Sequence, residues 1–400
     1  MSLIKLISLR KKIKNHKGNI NLSIPVIRVD YPGLMTTVQD LGRYGFQAFG
    51  VPVSGALDLF QSRLANILVG NSETDAVLEI TILGPKLVFL ENVIIALTGA
   101  DLTANIDGEH VPRWEPIHVK KGSELSFGEC KNGARGYLSV SGNGFDVPLI
   151  LGSRSTYLQG NFGGYSGRSL QKEDVLNSVS DTHNPETRLM PSGFIEPDYS
   201  DIQEIRIVAG AQTQKFTTSE FQKLSSSTYK ISNDSDRIGY RLEGPSIKPI
   251  DSVDIISEGN PPGAIQVSGD GVMTILLSDR GTTGGYSKIA SVINSDLNLL
   301  AQLMPGDLIS FVEVSIDEAR STLMMQEELI QAVLEGINFD YDKNRTSIKI
   351  DGVSLEIVDE EGEIFSYSSA LGENKTNSQI NAEVSVGDEV FNLDAEVNND

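Results

Sequence analysis

Four segments combine glycine with charged or amide side chains, and their residue types could do chemistry. Glycine lets backbone N–H groups converge on an anion or a carbonyl oxygen, and arginine offers a planar fork to carboxylate, ureido or phosphate groups. The segments span residues 32–45, 160–168, 236–242 and 257–288. Their candidate side chains are Gln39, Asp40, Arg43, Arg168, Asp236, Arg237, Glu258, Gln266, Asp279, Arg280 and Lys288.

Three of these segments place an aspartate beside an arginine. One interpretation is a structural ion pair that holds a turn in place. The other is a charged group that binds or activates a ligand. The sequence leaves both open for the pairs Asp40 and Arg43, Asp236 and Arg237, and Asp279 and Arg280.

The loop 282–288, with the sequence TTGGYSK, is typical of a ligand cradle because two adjacent glycines precede a tyrosine and a lysine. It lacks the Gly-Lys-Ser/Thr ending of a phosphate-binding loop, so nucleotide binding by this chain alone is not predicted. No nucleophile-elbow motif lies near His110 or His118, which argues against a Ser-His-Asp triad. Glu79 lies in a strand-like run, where facing solvent is favoured over lining a pocket.

Composition narrows the class of protein. The net charge of −21 argues against a general nucleic-acid binder and against an anionic membrane surface as the main partner. The one cysteine, Cys130, excludes an intrachain disulfide and a cysteine metal cluster, and four scattered histidines make no metal site. No apolar run reaches the roughly 18 residues of a membrane span, so we expect a soluble cytoplasmic protein.

Charge is unevenly distributed along the chain. The first 18 residues hold six bases and no acid, whereas residues 316–400 hold 20 acids and 5 bases. This shift predicts a boundary near residue 315. We interpret residues 1–25 as an extension, either a frayed leader or a basic docking helix.

The body of the chain predicts many short strands separated by turns, as in a β-barrel or β-sandwich. The exception is a helix over Ala56–Val69, with Ser54 as its N-cap and Gly70 after its end. A second short helix is predicted over Leu297–Leu303. The polar stretch 177–200 is interpreted as a linker between domains at 26–190 and 200–315.

The last segment, 316–400, is predicted to be a separate extension. Ser315 and Glu318 have capping-box spacing, so a helix should run from there to about Glu335. A hairpin is expected over 347–358 with a turn at Asp351 and Gly352. The acidic end either forms one or two further strands or remains disordered.

Long motifs in a constant order carry a resemblance to a known family. They are PGLMTTVQDLGRYGFQAFGVPVSGALD (32–58), GGYSGR (163–168), SDRIGYRLEGP (235–245), SEGNPPGAIQVSGDG (257–271) and DRGTTGGYSKIASVI (279–293). In this order the chain resembles the biotin-dependent carboxyltransferase family, also called allophanate hydrolase subunit 2-like proteins. The resemblance covers roughly residues 26–315.

The resemblance implies a mainly β fold with two cyclophilin-like β-barrel domains. It implies that the chain is the C subunit of an ATP-dependent 5-oxoprolinase, which hydrolyses 5-oxo-L-proline to L-glutamate together with the A and B subunits. One alternative is a carboxyltransferase that moves CO₂ from carboxybiotin to urea or a related amide. Another is a non-catalytic regulator that binds a kinase-inhibitor-like partner.

The resemblance also implies roles for the candidate residues. Four cations would stabilise developing negative charge or hold a carboxylate, namely Arg43, Arg237, Arg280 and Lys288. Four acids would orient them or transfer protons, namely Asp40, Asp236, Glu258 and Asp279. No cofactor is expected to be bound covalently, because Lys375 lacks the Met-Lys-Met context of biotinylation and biotin would arrive on a separate carrier. The expected substrate-binding residues are Gln39, Arg168, Gln266, Thr282, Thr283, Gly284, Gly285 and Tyr286.

Overall fold

A computed structural model describes residues 23–180, 185–199, 202–337 and 339, together with four strands between 346 and 396. The chain divides into two units. The first comprises Met1–Met190 and Glu196–Ile337, and the second comprises Pro191–Ile195 and Asn338–Asp400. Residues 1–22 of the predicted N-terminal extension lie outside the described residues.

Eleven strands make up the N-terminal half of the first unit, which we define as residues 23–180. Turn glycines with positive φ, among them Gly33 and Gly122, separate several of these strands because such turns need a left-handed backbone. The strands are β1 (Ile24–Tyr31), β2 (Met35–Gln39), β3 (Val77–Thr81), β4 (Lys86–Phe89), β5 (Val93–Asp101), β6 (Ala104–Ile106), β7 (Glu109–His110), β8 (Ile117–Val119), β9 (Glu124–Phe127), β10 (Asn132–Val140) and β11 (Val175–Ser178).

These strands form two antiparallel sheets around one hydrophobic core. One sheet has the order β11-β1-β4-β9-β6-β7 and the other β2-β3-β10-β5-β8. Buried side chains from both sheets, such as Ile27, Phe89 and Leu138, belong to the same cluster. The central strand β10 pairs with β3 on one side and with β5 on the other, so β3 lies inside its sheet.

The first helix of the described chain, α1 (Leu59–Leu68), packs against β5 and β10. Its buried face includes Leu64, Ile67 and Leu68, whose spacing of three and four residues places them on one side of the helix. The predicted N-cap was wrong. Asp58, rather than Ser54, accepts the first-turn N–H of Gln61 at 3.0 Å, since Ser54 lies four residues before the N-cap position.

The barrel half of the first unit, defined as residues 202–315, contains a closed seven-stranded barrel with the order β12-β19-β16-β17-β14-β13-β20. A parallel pairing of β12 with β20 closes it. Strands β15 and β18 form a separate two-stranded sheet. The strands are β12 (Gln203–Ala209), β13 (Thr228–Ile231), β14 (Gly239–Glu243), β15 (Asp254–Gly259), β16 (Ala264–Val267), β17 (Met273–Leu276), β18 (Thr283–Tyr286), β19 (Lys288–Val292) and β20 (Leu308–Glu313).

Three more helices complete the first unit within the described residues. Helix α2 (Thr218–Ser226) was not predicted, and α3 (Asn294–Leu300) lies three residues earlier than expected. Helix α4 (Ile316–Glu335) has the predicted capping box at Ser315 and a left-handed Gly336 at its end. The mainly β fold is confirmed, whereas the division into domains at 26–190 and 200–315 stays a prediction.

The second unit contains a four-stranded antiparallel sheet with the order β22-β21-β23-β24. The predicted hairpin is confirmed, although its turn at 351–352 lies outside the described residues. Of the alternatives left open for the acidic end, two further strands are present. The strands are β21 (Thr346–Ile350), β22 (Val353–Ile357), β23 (Gln379–Val386) and β24 (Glu389–Glu396).

Among the described residues, no helix is both long enough and apolar enough to cross a membrane.

Candidate functional site

A buried arginine joins the two halves of the first unit. Arg237 is 4% exposed and reaches from the barrel half into the N-terminal half. Its Nε donates to Asp279 Oδ2 at 3.0 Å, its Nη2 to the Gly55 carbonyl at 2.5 Å, and its Nη1 to Glu79 Oε1. Arg237 therefore ties three separate segments together with one side chain.

Glu79 is the carboxylate at the centre of this network. It lies on β3 and is 1% exposed, so the solvent-facing interpretation was wrong. Its second oxygen accepts the Tyr137 hydroxyl at 2.8 Å and the Leu57 backbone N–H at 2.8 Å. A buried carboxylate needs this many donors, because an unpaired charge away from water is costly.

Asp58 extends the network on the side of α1. Its Oδ2 accepts from Gln302 Nε2 at 2.7 Å, and Gln302 Oε1 in turn accepts the N–H of Arg135 at 3.1 Å. Arg135 Nη1 donates to the Tyr240 hydroxyl at 2.6 Å and to barrel-half carbonyls. The halves are therefore joined through a continuous polar layer.

Burial and neighbouring charges both shift the pKa values of this layer. Burial raises the pKa of Asp58 to about 7 and holds the pKa of Tyr137 well above its ordinary value, with Glu79 adding to both effects. Burial alone would lower the pKa of Arg237, but attraction by Glu79 and Asp279 outweighs burial and raises it. Arg237 thus remains charged, while Tyr137 stays a neutral hydrogen-bond donor.

A cleft of about 340 Å³ opens between the halves beside this network. The N-terminal half contributes the segment after β2 and the start of α1, and the barrel half contributes Arg280, the segment around Pro262 and helix α3. The N–H of Ser54 donates to the Ser278 carbonyl at 3.0 Å and joins the two walls. The cleft therefore brings together the first and fourth glycine-rich segments.

Arg280 supplies an available positive charge to this cleft. It is 8% exposed, and its Nε and Nη1 donate only to the carbonyl oxygens of Asn260 and Leu277, at 2.8 and 3.0 Å. Among the described residues it forms no ion pair with a carboxylate. Burial lowers the pKa of this guanidinium, yet arginine stays protonated at neutral pH. Arg280 can therefore bind a ligand carboxylate in the cleft.

A second charged cluster lies at the junction of β15 and β19. Lys288 is 2% exposed, and its Nζ donates to Glu258 Oε1 at 3.0 Å. Gln212 Nε2 donates to the same carboxylate oxygen at 2.9 Å. The Lys288 hydrogen bond, reinforced by that of Gln212, lowers the pKa of Glu258, so this carboxylate stays ionised.

The glycine loop 282–286 forms β18 and pairs with β15 rather than closing over the cleft. Thr283 and Tyr286 are exposed. Gln266 donates to Asn260 Oδ1 at 3.1 Å beneath this strand. A side chain at Gly284 would crowd both of these amides, which explains the glycine there. Thr282 and Gly285 lie in the same loop and are partly buried.

Asp40 stabilises a turn by accepting hydrogen bonds from two segments of the chain. It accepts the Gly42 N–H at 2.8 Å, the Arg154 N–H at 2.5 Å and the hydroxyls of Ser153 and Ser155. These donors satisfy both carboxylate oxygens, and no ion pair with Arg43 forms among the described residues.

Arg43 is fully buried beneath the ring of Phe162, and its Nη2 donates to the Ser155 carbonyl at 2.7 Å. Burial lowers its pKa, against the attraction of Asp40 and Asp279. Its Nη1, Ser54 Oγ and Asp279 Oδ1 are buried without hydrogen-bond partners among the described residues. The layer behind the cleft thus keeps unused donors and an unused acceptor.

The remaining predicted residues lie apart from the cleft lining. Asp236 is exposed and accepts the N–H of Ile238 at 2.7 Å, and it forms no ion pair with its neighbour Arg237. Arg168 is held by both oxygens of Asp174 at 2.7 and 2.8 Å. Gln39 is buried, and its side-chain amide donates to the Thr37 hydroxyl and to the Thr156 carbonyl. The catalytic and binding roles expected for all these residues stay predictions.

Several residues of the polar layer were not among the candidates that the sequence indicated. They are Tyr137, Asp58, Gln302 and Arg135, of which Asp58 is the last residue of the motif 32–58. The one available signal was a charged or phenolic group inside a strand, as at Glu79 and Arg135, since such groups need buried partners. Their side-chain partners across the layer lie 58 to 244 residues away along the chain, so the pairing was not predictable.

Comparison with a family model matches residues 49–313 to "Carboxyltransferase domain, subdomain A and B". Among individual proteins, the C subunit of 5-oxoprolinase from Escherichia coli is 34% identical over 315 residues, covering 76% of this chain and 97% of that protein. Urea amidolyase of Saccharomyces cerevisiae is 35% identical over 327 residues, covering 77% of this chain but only 18% of that protein.

A solved structure agrees with these sequence matches. The Kluyveromyces lactis urea carboxylase has a TM-score of 0.74 at 31% identity, with 95% of this chain and 34% of that chain covered. The chain therefore spans about a third of that enzyme and about a fifth of the yeast amidolyase, but nearly the whole length of the E. coli protein.

Proposed function

Because the chain belongs to the family of carboxyltransferase domains with subdomains A and B, we propose that it is the C subunit of an ATP-dependent 5-oxoprolinase. In that reaction water adds to the lactam carbonyl carbon of 5-oxo-L-proline, the ring C–N bond breaks and L-glutamate forms. Hydrolysis of ATP to ADP and phosphate drives the ring opening. Coverage of 97% of the E. coli protein supports this role.

The observation that carries the proposal is the guanidinium of Arg280 in the cleft, which has no carboxylate partner among the described residues. The substrate 5-oxoproline carries one carboxylate, whereas urea carries no charge. A guanidinium bonded only to carbonyl oxygens retains its charge for a ligand carboxylate. The charge of Arg280 therefore favours the lactam acid over urea.

The rest of the cleft suits the neutral part of a small lactam. Leu57, Phe60 and Leu297 offer apolar contacts to ring methylenes. Asn294 lines the same cleft and offers its side-chain amide to the lactam C=O and N–H. A cleft with one available cation and a few neutral polar groups matches a monoanionic amide.

The same cleft fits ATP poorly. A triphosphate needs several cationic or backbone donors, whereas Arg280 is the one lining cation without a carboxylate partner among the described residues. The sequence also lacks a phosphate-binding loop. We therefore propose that ATP binds to the partner A and B subunits, and that the complex works in the cytoplasm.

A second candidate function is transfer of a carboxyl group from carboxybiotin to urea or a related amide. The likeness to the Kluyveromyces lactis urea carboxylase over 95% of this chain favours it. Biotin would then arrive on a separate carrier protein. In this alternative Arg280 would interact with the carboxyl group being transferred.

Reconstitution of the complex distinguishes the two candidate functions. The full chain is co-expressed with its neighbouring A and B subunits, and glutamate release from 5-oxoproline is measured with and without ATP. A parallel reaction contains carboxylated biotin carrier protein and urea. ATP-dependent glutamate that requires this chain supports the proposal. Urea carboxylation without glutamate release would replace it with the second candidate.

A further inference from the structure

Helix α4 supplies one wall of the cleft, although it lies beyond the range matched by the family model. Its lining residues are Leu323, Gln326 and Glu327. Their spacing of three and four residues places them on one face of the helix. α4 therefore contributes side chains to the lining of the cleft as well as to packing.

The position of α4 is set by contacts on both sides of the cleft face. Leu329 and Ile330 are buried. Gln326 Nε2 donates to the Ser295 carbonyl at 3.3 Å, and its Oε1 accepts from Asn298 Nδ2 at 3.3 Å. These contacts hold the lining face against α3.

Glu327 forms a bidentate ion pair with Arg63 of α1. Nη1 and Nη2 of Arg63 donate to the two Glu327 oxygens at 2.5 and 2.7 Å, and its Nε donates to Glu73 at 2.9 Å. The Arg63 hydrogen bonds lower the pKa of Glu327, so the pair is ionised at neutral pH. The whole guanidinium fork of Arg63 is thereby occupied.

Three charged side chains line the cleft: Arg63, Arg280 and Glu327. With Arg63 engaged by Glu327, Arg280 is left as the cation available to a ligand. We propose that Glu327 is a specificity-determining residue that restricts the cleft to ligands with one negative charge. This inference rests on the proposed use of the cleft for a monocarboxylate. Removing Glu327 would free Nη1 of Arg63, whose Nε and Nη2 stay beside Glu73, and would raise the net charge of the cleft by one in favour of a dicarboxylate.

Isothermal titration of the full chain tests this with simple probes: butyrate as monocarboxylate, and succinate, glutarate and adipate as dicarboxylates of increasing length. The variants are Glu327→Ala and, as matched control, Glu328→Ala, the exposed neighbour outside the cleft lining. In Glu327→Ala the affinity for at least one dicarboxylate should rise about tenfold relative to the affinity for butyrate. Glu327→Gln, which keeps the side-chain volume, serves if the alanine variant does not fold.

An unchanged ratio of dicarboxylate to butyrate affinity in Glu327→Ala and Glu327→Gln would overturn the inference. An equal gain in Glu328→Ala would also overturn it, because the effect would then be general loss of negative charge. A parallel titration with 5-oxoproline separates the two proposals. Failure of 5-oxoproline alone to bind argues against the proposed function, while the selectivity change still decides the role of Glu327.

Discussion

The stability of the protein should fall with rising pH through one buried carboxyl group, that of Asp58. This side chain caps α1 and accepts from Gln302 in the polar layer between the halves. Burial raises its pKa from 3.8 to about 7. Asp58→Asn keeps an oxygen for the cap but removes the titration.

The sign and the size of this pH effect on stability follow from proton linkage. Between pH 4 and pH 7 the native state keeps the proton of Asp58, whereas the unfolded chain has lost it. The native state thus binds more protons, and the stability that Asp58 contributes is fully present below pH 4 and lost as pH rises through 7. A rise in pKa from 3.8 to about 7 corresponds to about 4 kcal/mol.

The assay is urea denaturation at several pH values between 4 and 8, followed by the fluorescence of Trp114, the chain's one tryptophan. Its indole N–H donates to Gln61 Oε1 at 2.8 Å, so it reports on α1. Relative to wild type, Asp58→Asn should gain stability as pH rises, by up to about 4 kcal/mol. The exposed Asp234→Asn should follow wild type. Equal pH slopes in wild type and Asp58→Asn would refute the reasoning.

Two further predictions concern the buried framework. Arg237→Met removes the shared partner of two buried carboxylates and should lower the free energy of unfolding by about 3–5 kcal/mol in urea titrations. The control Arg241→Met, at an exposed arginine, should lower it by less than about 1 kcal/mol. Similar losses in the two variants would contradict the role of Arg237 in the network. Gly163→Ala should cost about 2 kcal/mol or more, because a side chain there would overlap the Ser155 carbonyl at positive φ. Gly152 also has positive φ, but no atom lies close to where its side chain would be, so Gly152→Ala should lower the free energy of unfolding clearly less in the same titration.

Much of the fold followed from local patterns. The predicted short strands separated by turns are present, for example Glu124–Phe127, Thr228–Ile231 and Ala264–Val267, because alternation and flanking turns are local features. The capping box at Ser315 likewise lies within four residues. Helix α2 was not predicted because its sequence is short and polar and Leu224 is its one buried residue, so it shows no apolar periodicity.

The sequence predicted which segments contribute to the candidate site, but it did not predict which side chains pair with one another. The sequence offered Arg237 with its neighbour Asp236, yet the structure pairs Arg237 with Glu79, 158 residues away, and with Asp279. Burial of charge on a strand requires distant partners, and a single sequence carries no distances. The carbonyl-only environment of Arg280, which makes its charge available, depends on the fold in the same way.

The most direct test of the proposed cleft chemistry compares two ligands that differ by one carboxylate. In the reconstituted complex, affinities for 5-oxoproline and for 2-pyrrolidinone are measured with wild-type chain and with Arg280→Met. The wild type should prefer 5-oxoproline by about tenfold or more, and Arg280→Met should lose that preference while binding 2-pyrrolidinone as before. A preference for 5-oxoproline that persists in Arg280→Met would contradict the role of Arg280 as the carboxylate-binding group.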